Sequence, residues 1–371
     1  MGRFTRAEMQ EHNRAKVLAA ARDEFTERGF RDAKIDGIAE RARLTRGAVY
    51  SNFPGKRALY FAVLADLAER DSAPPHAAPP HSESGRTAGE ALGAFARAWV
   101  ARLPLATEEQ HSSARLGMDL LSEVLADERT RWPFTQLMKL DAILLGLALE
   151  RLRPPGAPAG RLVSVAEVAL TTLYGASQMA AAAPGFVDPF TIVSACEQLA
   201  DLDLGDAWQP PHLAYVPRAR PADESWSPPP AVDAVRGEPA RLADDGVVAI
   251  LGLHRLEAAE EAVRAAPPTA TVTVVLVTGD PGELAPLARL AIAELRVCLR
   301  QAFPPSAWPR LQVVYDESGT LAAAAGVPAV SDGTEAAVRV EAGRIVARAD
   351  GRGACHAAAA AGEPDRPGQA G

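Results

Sequence analysis

Cysteine is scarce in these 371 residues. Cys196, Cys298 and Cys355 lie far apart with no CxxC spacing, which argues against a disulfide scaffold or a zinc site and fits a reducing cytoplasm. Long apolar runs are also missing. The longest uncharged stretch, 168–187, contains Thr171, Thr172, Gln178 and Pro184 among its alanines, so it reads as a buried helix and not as a membrane span. The first thirty residues are charged throughout and leave no room for the apolar core of a signal peptide. A cytoplasmic protein without a membrane partner is the expectation. With 48% hydrophobic and 23% charged residues, the composition excludes a mostly disordered or fibrous chain.

Lysine is the rarest cation, with four copies, and three of them (Lys16, Lys34, Lys56) fall in the first seventy residues. That segment has 14 Lys/Arg against 10 Asp/Glu, whereas the chain as a whole carries −8. Residues 71–204 hold 10 against 16, and residues 205–371 hold 15 against 21. Between Arg41 and Ala65 there are five bases and no acid. One module of an acidic protein is therefore suited to an anionic partner.

Two proline-rich breaks divide the chain. The first, 71–84, reads DSAPPHAAPPHSES, and the second, 205–244, has little apolar period and reads as a semi-extended linker. Between them, helical patterns over 87–102, 108–126, 130–153, 161–183 and 189–203 predict an all-helical bundle spanning 87–204. Beyond the linker, β-branched runs at 247–253, 271–278, 311–315, 336–341 and 344–349 alternate with helical stretches. Ala342-Gly343 supplies a hairpin turn, so 245–352 predicts a mixed sheet covered by helices. From Gly353 the Ala/Gly/Pro-rich tail, 353–371, is expected to be disordered.

The first seventy residues carry the clearest motif. Val17, Leu18, Ala21 and Phe25 share one helical face, and Ile35, Ile38, Ala39 and Ala42 mark a short second helix. After a brief step, Thr45 caps a third helix, RGAVYSNF, which Pro54-Gly55 ends before a fourth begins at Lys56. Two short helices joined by a tight turn, the second basic and rich in small residues, describe a helix-turn-helix. The run FTERGFRDAKIDGIAERARLTRGAVYSNFPGKRALYFAVL resembles the DNA-binding domain of the TetR family of bacterial repressors over residues 12–67. Gly29-Phe30, Ile38-Ala39, Leu44-Thr45, Gly47, Val49-Tyr50, Phe53 and Lys56 carry that resemblance. Two positions depart from the family pattern. Ala33-Lys34 replaces a capping hydroxyl, and Arg43 stands where the turn favours glycine.

The resemblance implies an all-α DNA-binding and regulatory region and a homodimer on a palindromic operator in double-stranded DNA, released by a small-molecule effector. Arg46 can fork onto guanine, Ser51 and Asn52 can reach a base edge or phosphate, and Gly47 and Ala48 let the helix seat closely. Thr45, Tyr50, Lys56, Lys34 and Arg43 are candidates for phosphate. The plainer alternatives are a solvated basic face for Arg46 and Lys56, core packing for Tyr50 and a helix-end role for Asn52. The last two bundle helices would form the dimer, with Ala169, Leu173, Ala176, Ala180 and Ala183 as its close-packed face. Trp99, His111, Arg115, Asp119, Trp132, Phe134 and Met138 are candidates for the effector pocket, against ordinary core packing or an exposed charged stripe.

The segment 245–350 is similar to thioredoxin-like α/β domains in element order, but GLHRLEAAEEAV follows its first strand where a nucleophilic cysteine would stand. Gly333-Thr334 occupies the position of the proline such enzymes carry before the hairpin. The reading is therefore a regulator and not an enzyme, with no cofactor or metal. Its alternatives are a redox or peroxide-handling protein and an interaction protein using the C-terminal domain. Because a linker intervenes, residues 1–204 are expected to fold and bind DNA alone.

Overall fold

The computed structural model describes residues 5–71, 86–103, 116–154, 156, 160–209 and 218–361. It divides into two units: residues 1–205 with 280–308, and residues 206–279 with 309–371.

The first unit is helical. Thr5 and Glu8 form a reciprocal capping box that starts α1 (Arg6–Asp32), which kinks at Gly29, where φ is 71°. The short α2 (Ile35–Ala42) and α3 (Arg46–Asn52) follow, and α4 (Lys56–Asp71) buries nine side chains, from Ala58 to Ala68. A second capping box, Thr87 with Glu90, opens α5 (Ala88–Val100). Then come α6 (Leu120–Leu125), α7 (Glu128–Glu150), α8 (Val163–Ala182) and α9 (Pro189–Leu199). Pro189 takes the first turn of α9, where a missing N–H costs nothing, and the Asp188 carboxylate accepts from Phe190 and Thr191 N–H. At Gly146 an added Cβ would lie 2.7 Å from Val163 Cα, so glycine is what lets α7 and the start of α8 meet.

The second unit is built on a six-stranded sheet. Its strands are β1 (Arg220–Ser225), β4 (Gly246–Gly252), β5 (Thr271–Val277), β6 (Leu311–Tyr315), β7 (Glu335–Glu341) and β8 (Arg344–Asp350). A two-residue ladder, β2 (Val232–Asp233) with β3 (Glu238–Pro239), stands apart from them. The order is β1-β8-β7-β4-β5-β6, with β4, β5 and β6 parallel and β7, β8 and β1 joined antiparallel. Positive φ at Ala342 (48°) and Gly343 (71°) makes the β7–β8 turn a mirror-image two-residue turn, as the sequence predicts. Its helices are α10 (Ala258–Ala265), α12 (Thr320–Ala324) and α13 (Ala354–Ala360). Val248, Ile250, Val275, Val314, Val338 and Ile345 lie at the centre of one apolar core.

Three features depart from the sequence-based boundaries. Helix α11 (Leu284–Ala302), between β5 and β6 in the chain, belongs to the first unit, so 245–352 is not one contiguous domain. Fourteen of its nineteen residues are buried, and it packs on α4, α5 and α7. Charged groups at its rim pair with the bundle: Arg289 with Glu69 at 2.7 Å, and Glu294 with Arg102 at 3.5 Å. The expected linker, 205–244, contributes edge strand β1, in which Pro221 is tolerated because one side of that strand has no ladder to donate to. The tail expected from Gly353 onward instead begins with α13, whose Ala354, Cys355, Ala358 and Ala359 are buried. Residues 72–85 and 362–371, which include most of the first proline-rich break and the end of the tail, lie outside the described residues. Among the described residues no helix is long and apolar enough to cross a membrane.

Candidate nucleic-acid interface

The helix-turn-helix rests on a small core. Val17, Ala21 and Phe25 of α1, Ile38, Ala39 and Ala42 of α2, and Val49 and Phe53 around α3 are all buried. A polar clamp completes it. Buried Glu24 accepts from Arg41 at 2.8 Å and pairs with Arg28 at 3.4 Å, which ties α2 to α1. Arg14 holds the far end of α3, its guanidinium 4.5 Å above the Phe53 ring and 3.3 Å from the Asn52 carbonyl. Sequence reasoning missed Arg14, Glu24 and Arg41 as organising residues. An acid one residue from Phe25 on the buried stripe of α1 was the available signal.

Lys34 caps α2 without any side-chain hydrogen bond, so the departure at Ala33-Lys34 does leave that helix uncapped. Arg43 takes the left-handed conformation (φ 53°, ψ 44°), and the Leu44 N–H donates to the Ala39 carbonyl across it. An L side chain in that region costs roughly 1 kcal/mol. Arg43→Gly is therefore expected to raise stability by about 1 kcal/mol in urea unfolding. A loss of stability would instead mean that the guanidinium makes a native contact of greater worth.

Thr45 accepts the Ala48 N–H at 3.2 Å and so caps α3. Arg46 is exposed at the first turn, with its guanidinium 5.6 Å from the centre of the Tyr50 ring and 3.5 Å from the Asp36 carboxylate. Tyr50 is 42% exposed, so it does not pack in the core. Gly47 is exposed and Ala48 half-buried, and both leave the face beside Arg46 low. Ser51 and Asn52 donate to the Ala48 carbonyl at 2.9 and 2.8 Å, which commits the Ser51 hydroxyl proton and one of the two Asn52 N–H groups to the helix in this state. Lys56 donates to the Arg31 carbonyl at 3.1 Å and lies 4.6 Å over the Phe30 ring. Burial holds its ammonium below the usual lysine range. Two of its three N–H donors remain for another partner.

Residues 17–63 match the family model for bacterial regulatory proteins of the tetR family. Over these residues the helix-turn-helix is similar to the tetR family of regulators. The chain is 46% identical over 65 residues to the HTH-type transcriptional regulator SrpR of Pseudomonas putida, and equally to the uncharacterized HTH-type transcriptional regulator TtgW of the same species. Each match covers 18% of this chain, and the chain spans 30% and 48% of those relatives' lengths. A solved transcriptional regulator from Rhodococcus sp. Rha1 is 23% identical over 51% of this chain and 94% of its own, with a TM-score of 0.33, a likeness too loose to carry an argument.

The helix-turn-helix is fastened to the helices that follow it. The Phe30 N–H, next to the kink at Gly29, donates to the Asp119 carboxylate at 3.1 Å. Buried Tyr60 of α4 packs edge-on against Phe25 at 5.5 Å and beside Phe30 at 4.8 Å, and its hydroxyl donates to the Leu116 carbonyl. Arg57 bridges Asp127 (2.8 Å) and Glu283 (2.5 Å), the second lying just before α11. These contacts join the start of α4 both to the bundle and to the segment inserted from the C-terminal half.

Of the expected effector residues, Trp99 and Phe134 meet on the Tyr174 ring, while the others lie apart from them or outside the described residues. His111 and Arg115 lie outside the described residues. Trp132 is exposed, Met138 is half-buried, Phe134 meets Tyr174, and Asp119 serves the Phe30 N–H. Trp99 is in the bundle core, donating to Ser177 at 3.0 Å. Ala169, Leu173, Ala176 and Ala180 are buried within the protomer's own bundle and Ala183 half-buried, so they are not the free face of α8. The alanine period marks a packing face, and within the protomer that face lies against its own bundle. The large apolar side chains left exposed along α8, α9 and the turn between them are Val168, Met179, Phe186 and Phe190. All three cysteines are free and buried. Burial pushes Cys196 up to about 11 and Cys298 up to about 12, and raises Cys355 as well, which disfavours thiolate chemistry.

Proposed function

We propose that the protein is a transcriptional repressor that binds a palindromic operator as a homodimer and leaves it when an effector binds the helical unit. The observation that carries this reading is Arg46, exposed at the start of a capped recognition helix within the family-matched segment. There it can donate to guanine O6 and N7, while Thr45, Tyr50, Arg43 and Lys34 flank it for phosphate contact. Ser51 can donate to DNA only by exchanging its bond to Ala48, whereas Asn52 keeps a second N–H and its Oδ1 for DNA, and Lys56 contributes through its remaining donors. In a footprinting series on the region upstream of the protein's own gene, Arg46→Ala is expected to cost about 1–3 kcal/mol at the preferred site and to relax preference at one base pair per half-site. Unchanged preference would remove Arg46 from base readout.

A dimer formed through α8, α9 and the turn that joins them is favoured by their exposed apolar groups, above all Phe186 (72% exposed) in the turn and Phe190 (82%) on α9. Phe190→Glu is expected to leave a folded monomer in sedimentation at micromolar concentration, with operator affinity reduced at least about tenfold. A Phe190→Glu variant that remains dimeric would place the interface elsewhere. Release follows as a population shift: an effector that prefers one packing of α4 against the bundle changes the spacing of the two recognition helices.

A thioredoxin-like reading of the second unit is favoured by the order β8-β7-β4-β5, with β4 and β5 parallel, a terminal hairpin and a closing helix. The residues that give such folds thiol chemistry are missing from GLHRLEAAEEAV, so the unit is read as a sensing or partner-binding module.

A further inference from the structure

Charge in the interior of the helical unit gathers at one place. Asp141 on α7 is 3% exposed, and its Oδ1 has no hydrogen-bond partner among the described residues. Glu294 of α11 lies close enough to add to the cost of charging it. Arg102, just beyond α5, pairs with Glu294 at 3.5 Å and with nothing equivalent on Asp141, so among the described residues the cluster has two carboxylates for one guanidinium. Arg102 and Glu294 keep 31% and 23% of their side-chain surface accessible, so they form the outer side of the cluster, with Asp141 inside it. Tyr174 of α8 is within electrostatic reach of Asp141, Glu294 and Arg102. Its ring meets Trp99 at 4.9 Å and Phe134 at 6.2 Å, both edge-on.

A buried carboxyl oxygen without a donor costs free energy that a bound donor would recover. A carboxylate beside aromatic rings is the chemistry that holds an organic ammonium: the acid takes the N–H and the charge, and the rings take the apolar body and the cation's face. We infer that Asp141, Glu294 and the Trp99–Tyr174–Phe134 rings form a receptor for a protonated amine carried on an apolar body. The inference rests on the effector-released repressor reading and names the ligand class of that effector. The receptor is composite, since α11 brings Glu294 to it from the C-terminal half of the sequence. An occupant bridging α7 and α11 would brace the helix that also grips α4 through Arg289–Glu69.

Isothermal titration of the full chain in the absence of DNA tests this with phenethylamine, its uncharged analogue 2-phenylethanol, and 3-phenylpropionate. Phenethylamine is expected to bind at least about tenfold more tightly than the alcohol, and the anion should not compete. Asp141→Asn should bring the amine down to the affinity of the alcohol, and Glu294→Gln should weaken it severalfold. Burial, with Glu294 nearby, holds the empty Asp141 well above the usual carboxylate range, so the amine should displace a proton. Proton release, read as a dependence of the binding heat on buffer ionisation, should be present in the wild type and absent in Asp141→Asn. The group so penalised is uncharged by this substitution, so the variant should fold; if it does not, Glu294→Gln carries the comparison. No heat from millimolar phenethylamine, equal binding of amine and alcohol, or an amine preference surviving the substitutions would each overturn the inference. Binding without any palindrome-specific DNA complex would sink the repressor reading alone.

Discussion

A chain ending at Gly205 is expected to lose its cooperative thermal transition and its DNA binding together. Leu284, Leu287, Leu290, Ile292, Leu295 and Leu299 of α11 are all buried, in a helix that packs on α4, α5 and α7. Uncovering six such side chains and their partners is worth on the order of 10 kcal/mol, comparable to the whole stability of an ordinary domain. Arg57, Glu69 and Arg102 would lose their partners Glu283, Arg289 and Glu294 at the same time. Circular dichroism melts of residues 1–205 should show a broad, shallow transition. Joining residues 280–308 to that chain through a flexible Gly/Ser linker should restore a sharp one. A truncated chain that melts as cooperatively as the full protein would show that α11 is dispensable to the bundle.

Tyr60→Ala is expected to cost about 3–5 kcal/mol in urea unfolding, the range for removing a large buried ring. Tyr60 is fully buried among Phe25, Phe30 and Phe61. Its hydroxyl also satisfies the Leu116 carbonyl, so Tyr60→Phe, which keeps the ring, should cost about 1 kcal/mol. The ring fixes α4 against the end of α1, so the alanine variant should lose operator affinity under conditions where it is still mostly folded. A cost under about 1 kcal/mol for Tyr60→Ala would mean that the cluster repacks without the ring.

Local patterns were legible wherever one chain segment settles its own structure. The helices of the helix-turn-helix, the Thr45 cap, the left-handed Arg43, the strands β4 to β8 and the Ala342-Gly343 turn all follow from nearby residues. What was not legible depends on a partner distant in sequence. An apolar helix such as α11 reads the same whether it covers a sheet or enters a bundle, since burial on both sides leaves little polar face to orient it. Strand β1, RPADES, has neither alternation nor β-branched residues, and its pairing with β8 comes from the sheet edge. The alanines of α8 predicted close packing but carried no mark saying which neighbour they pack against. Asp141 lies in a helix of otherwise ordinary apolar period, and only the tertiary packing shows that its oxygen is left without a donor.

The most direct test of the central claim is selection of duplexes bound by the full-length protein from a random pool, repeated with Arg46→Ala. The expected result is one enriched palindrome whose half-sites are centred about 34–36 Å apart, bound by two chains, with affinity falling steeply from about 50 to about 200 mM salt. The variant should lose enrichment at one base pair in each half-site. A pool that shows no palindrome, or the same palindrome equally enriched by Arg46→Ala, would contradict the account.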